Sequence, residues 1–134
     1  MSRQSRTFKL KLSPAGMDLL IDAHCHVIRA TRRLLAWGTT LQTGVDWLAE
    51  APVPIVAQLL AGLPEAGFSG DEEHHLGAPK GLNVVAARIA NEVSRASSGA
   101  PPPLLADIYI VALVHLLRTD GAQLRAVYNR TRRG

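Results

Sequence analysis

Asp22, His24 and His26 are spaced as Asp-x-His-x-His, and the sole cysteine, Cys25, lies between the two imidazoles. Such side chains can hold a divalent metal and activate water, provided both rings reach one ion. On an extended strand, alternate residues share a face and can chelate. On a helix, residues two apart diverge by about 200° and cannot. A second set of chemically able residues overlaps the first. Arg3, Arg6, Lys9 and Lys11 precede the motif, and Arg29, Arg32 and Arg33 follow it. Groups of this kind bind phosphates without reading base sequence, arginine by paired hydrogen bonds. The backbone around residues 14–37 decides which chemistry the chain can perform.

Periodicity favours a helix. Ser13 followed by Pro14 is a helix start, with a capping hydroxyl and proline in the first turn. Met17, Leu20, Ile21, His24, Val27, Ile28, Thr31, Leu34 and Leu35 then recur at spacings of three and four, one apolar stripe. The pattern predicts a helix from 14 to 37, stopped by Gly38. It places His24 on the stripe and His26 in solvent. Asp18 and Asp22 near the start and the arginines near the end suit the helix dipole.

The flanking elements follow from the same rules. Thr7 to Leu12 alternates polar and apolar residues, a short half-buried strand. No second segment presents itself as its partner. Thr43 caps a short helix, another runs over 55–63, and 64–80, with its Gly, Pro, acids and His74-His75 pair, is a loop. Residues 82–97 form a helix with Arg88 and Glu92 spaced to pair. Residues 97–103 form a stiff linker. Residues 104–118 are apolar nearly all round, either a central helix or a buried strand. Asp107 and His115, eight apart on one helical face, can reach the same group. A last basic helix covers 123–133. The expected fold is mainly α, a helical bundle-like domain with one short amino-terminal β-strand. Residues 1–12 are a basic arm and strand, and 13–134 the helical domain.

Composition narrows the classes. With 47% hydrophobic residues the chain is not disordered, and one cysteine excludes an internal disulfide framework. The longest apolar run, 104–117, falls short of the roughly 20 residues a bilayer crossing needs, and no secretory signal is read at the start. No membrane partner and a cytoplasmic location are expected. The net charge of +4 conceals a sorting. Residues 1–33 carry seven basic and two acidic side chains, 34–79 six acids and no Lys or Arg, and 80–134 eight basic and three acidic. Two basic ends flanking an acidic middle can face a polyanion.

Leu20-Ile21-Asp22-Ala23-His24-Cys25-His26-Val27 resembles the metal-binding opening of amidohydrolases, which implies His24 and His26 as ligands. That family needs a barrel of about 250 residues. The apolar stripe also runs through the motif for several turns, so neither metal nor cofactor is expected.

Phe8-Lys9-Leu10-Lys11-Leu12 with His24-Cys25-His26-Val27-Ile28-Arg29-Ala30-Thr31-Arg32-Arg33 resembles the amino terminus of RNA-guided type V-B CRISPR nucleases, agents of antiviral defence. Ile28 stands where that family tends to have Asn, and Gln42 where Arg is usual. The resemblance implies a wedge-like strand followed by a recognition-type helical region. It implies guide RNA or target DNA as partner, together with the remainder of a larger effector, and Arg3, Arg6, Lys9, Lys11, Arg29, Arg32 and Arg33 as phosphate contacts. The family's nuclease carboxylates have no counterpart here, so this chain is expected to bind and not to cut. A helical module burying the apolar faces of 45–63 and 104–117 against a protein partner is the other non-enzymatic reading.

Overall fold

The computed structural model describes residues 5–64, 67–79 and 81–133. They form β1 (Ser5–Leu12), α1 (Pro14–Thr31), α2 (Trp37–Ala49), α3 (Val53–Ala61), β2 (Glu72–Pro79), α4 (Leu82–Ala96), α5 (Leu105–Arg118) and α6 (Gly121–Arg133). The protein is mainly helical, as its periodicities predict.

α5 is a helix, not a strand. It is buried at Ile108 and from Tyr109 through Leu113 and again at Leu116, because α1, α2, α3 and α4 all pack against it. The apolar faces expected to await a partner are therefore largely internal. Val45, Leu48 and Val56 join α5 in one core, together with Leu10 and Leu12 of β1.

β1 does have a partner. β2 pairs with it antiparallel, setting Leu10 opposite His74, Lys11 opposite Glu73 and Leu12 opposite Glu72. The segment read as a loop supplies this strand. Glu72-Glu73-His74-His75 carries no apolar alternation, and Leu76 after it is a buried aliphatic anchor. Such a sequence extends because a neighbouring strand offers hydrogen bonds, a preference set by context and not by its own residues.

α1 begins as predicted. Ser13 Oγ accepts from Gly16 N–H at 3.1 Å and donates to the Gly67 carbonyl at 2.6 Å. The helix ends six residues early, at Thr31. Arg32 adopts a left-handed conformation (φ 59°, ψ 34°), and its N–H reaches the Ile28 carbonyl at 2.7 Å. Gly38 is not the stop. It is buried in the first turn of α2, a helix that opens without any side-chain cap and so gives no signal before Thr43. The buried stripe of α1 is Gly16, Leu19, Leu20, Ala23, His24, Val27 and Ala30. Leu34, assigned to the stripe, is 95% exposed, since the chain has already turned away. Arg88 and Glu92 form no ion pair among the described residues. The charge of Arg88 acts instead on half-buried Asp46, whose carboxyl is pushed up by burial and by Glu50 against the opposing pull of Arg88.

The loop before β2 lies hard against the start of α1: a Cβ on Gly16 would fall 2.0 Å from the Phe68 carbonyl oxygen. Gly16→Ala is expected to cost about 1–3 kcal/mol, read as a lower urea midpoint. Gly77→Ala, with no atom within 4 Å of the added methyl, is expected to hold the wild-type midpoint. Equal midpoints for the two variants would contradict this packing.

Candidate nucleic-acid interface

The helical backbone of α1 sends its two imidazoles to different partners. His24 is buried. Its Nδ1 shares a 2.7 Å hydrogen bond with Thr40 Oγ1, and its ring stacks on Trp37 with centroids 3.9 Å apart. Burial lowers its pKa, which keeps it neutral at pH 7. His26 is half-buried, not exposed as expected, because its Nε2–H donates to the Thr119 carbonyl at 2.7 Å between α5 and α6. Thr119 also accepts from Trp47 Nε1 at 2.8 Å and donates to the His115 carbonyl at 2.7 Å. The histidines thus tie α1 to α2 and to the α5–α6 corner. Among the described residues no three His, Cys, Asp or Glu side chains are placed to hold a metal ion. Cys25 faces solvent and is not part of the packing.

Asp107 and His115 serve no common group. His115 stacks on Trp47 at 5.4 Å, and burial, then the charge of Arg118, lowers its pKa. Asp107 sits in the first turn of α5, where a carboxylate is favoured by the helix dipole. On β2, Glu72 and Glu73 engage the adjacent histidines loosely. His74 Nε2 lies 3.0 Å from Glu72 Oε1 without hydrogen-bond alignment, and His75 Nε2 lies 4.0 Å from Glu73 Oε1.

The basic residues come from different elements. Lys9 and Lys11 share Glu73 Oε2 at 3.7 and 3.8 Å on the solvent side of the two strands. Exposed pairs at such distances contribute about 0–1 kcal/mol. Arg29, Arg32 and Arg33 are exposed at the far end of α1. The lysines thus stand on the strands and the arginines at the end of α1. Arg3 lies outside the described residues, and of Arg6 only the backbone, in β1, is described.

The arginine patch gains a member that no spacing in the sequence announces. Arg125 of α6 donates from Nε to the Ala30 carbonyl at 2.9 Å. That carbonyl belongs to the last turn of α1, where helix acceptors lack intrahelical partners and a cation is favoured. The start of α6 packs beside the same turn: a Cβ on Gly121 would meet that of Ala30 at 3.7 Å, an ordinary contact. Asp120 adjoins the patch, but its Oδ1 accepts from Gln123 N–H at 2.9 Å and caps α6. Arg130 is paired with Glu50 at 2.8 Å. Arg29, Arg32 and Arg33 have no acidic partner among the described residues.

His24 and His115 have folded pKa values below their ordinary 6.5. The unfolded chain therefore takes up protons first as pH falls. Stability is expected to be full above pH 6.5, to decline below it, and to level off once the depressed folded values are passed. Urea midpoints measured from pH 8 to 5 check this, and a midpoint that rises over that fall would refute it. His24→Asn is expected to flatten part of the decline.

Comparison with protein-family models, with curated proteins and with solved structures finds no match to this chain.

Proposed function

We propose that this protein binds nucleic-acid backbone through the end of α1, with Arg29, Arg32 and Arg33 contacting phosphates and Arg125 holding the helix end that carries them. The observation behind this reading is the sorting of charge. Glu73 is shared by Lys9 and Lys11, and Glu50 pairs with Arg130. The three exposed guanidiniums at residues 29–33 are unmatched among the described residues. Arg125 occupies a carbonyl that would otherwise repel an approaching anion.

RNA or duplex DNA fits this chemistry equally, since phosphate contacts carry no base information. The finer reading, guide RNA or target DNA held by a non-catalytic portion of a type V-B-like effector, is supported by the resemblance of residues 8–33. The order of a basic strand followed directly by a long helix agrees with it. It lends Lys9 and Lys11 to the same ligand only if that ligand spans the length of α1. β1 finds its pairing strand, β2, within this chain.

Binding of an RNA or DNA duplex of about 20 base pairs should weaken steeply between about 50 and 200 mM salt, as counterions released on contact are lost as a driving force. Arg29→Gln and Arg33→Gln are each expected to reduce the slope of log affinity against log salt by about 1, read by fluorescence anisotropy. Binding that ignores salt, or none at the lowest salt, would refute the assignment.

A further inference from the structure

We propose that the free edge of β1 is a docking site for an extended acidic strand from a partner protein, a function separate from phosphate binding at the end of α1. Among the described residues the sheet has two strands, so one edge of β1 is occupied by β2 and the other has no described strand beside it. Leu12 is already bridged to Ser69 as well as to Glu72, and the open stretch ends before it. There the chain lines a groove of about 360 Å³, with Lys9, Leu10 and Lys11 on one wall and Leu105, Ala106 and Tyr109 on the other. Three consecutive residues of a strand can line one groove only along its edge, where successive side chains point to opposite faces.

The opposite wall is rigid and apolar. Tyr109 Oη donates to Asn83 Oδ1, joining α5 to α4. Two of the most exposed large apolar side chains, Val84 at 72% and Leu104 at 71%, stand at the starts of these same helices. An incoming strand would pair its backbone with the unpaired groups of the edge. Alternate apolar side chains would enter the groove over Leu105, and the intervening ones would lie beside Lys9 and Lys11.

Charge selects the occupant. Two exposed lysines share one carboxylate, that of Glu73, which leaves the edge cationic. A second copy pairing through β1 would set lysines beside lysines, and like charges across strands are destabilising. A strand alternating carboxylates with aliphatic residues satisfies both faces.

The test uses the whole chain and a fluorescent peptide of about eight residues alternating glutamate and valine. Saturable binding is expected. It should weaken about tenfold or more when lysine replaces glutamate in the peptide, or in the Lys9→Glu/Lys11→Glu variant. Methylation of every second peptide nitrogen, which removes the pairing donors, should weaken it similarly. Leu105→Asp should lose binding while keeping the wild-type thermal midpoint, since that side chain is part-exposed. Three results overturn the proposal: equal binding of the methylated or lysine-bearing peptide, displacement of the peptide by an RNA duplex, or a dimer by light scattering that Leu105→Asp dissociates. The first denies edge pairing or charge selection, the second assigns the lysines to nucleic acid, and the third makes a second copy the occupant. The Arg29→Gln variant should bind the peptide as wild type does, so failure here and failure of phosphate binding are separable.

Discussion

Burial of α5 is the constraint from which the other contacts follow. A helix whose residues 108–113 are all buried cannot lie on a surface, and each aliphatic side chain removed from water there contributes roughly 1.5–3 kcal/mol. Four helices surround it. The corner after α5 is where this packing meets polar chemistry. Thr119 accepts from His26 and Trp47 and donates to the His115 carbonyl, through hydrogen bonds of 2.7–2.8 Å. Burial there holds His115 neutral at ordinary pH.

The end of α1 illustrates how packing dictates a backbone departure. A left-handed arginine is disfavoured by about 1–2 kcal/mol relative to continued right-handed helix. The turn it makes brings Trp37 back onto His24 and starts α2 where Leu41, Val45 and Leu48 are fully buried. The Ala30 carbonyl released by the early stop is taken by Arg125. One local deviation thus sets the position of α2, the docking of α6 and the clustering of cations.

The basic residues have two kinds of surroundings, on the strands and at the end of α1. At the strands, a partly matched pair of lysines borders an apolar groove beside backbone groups that no strand covers. At the helix end, unmatched guanidiniums stand over a neutralised carbonyl. The first is the environment proposed for an amphipathic strand and the second the one proposed for phosphates.

The sequence by itself determined the helical class, the capped start of α1 at Ser13, the strand over residues 7–12 and the divergence of His24 from His26. Each of these is written in local spacing, and local spacing reflects the periods of 3.6 and 2 that the backbone imposes. Only the tertiary structure decided that residues 72–79 are a strand, that α1 stops at Thr31, that Leu34 is in solvent, and that Arg125 belongs to the arginine end. None of these leaves a local trace. β2 lacks apolar alternation and extends through hydrogen bonds to a strand some sixty residues earlier. The Ala30–Arg125 contact joins residues 95 apart. Energies of that kind depend on what lies across the contact, and a periodicity reports only what lies along the chain.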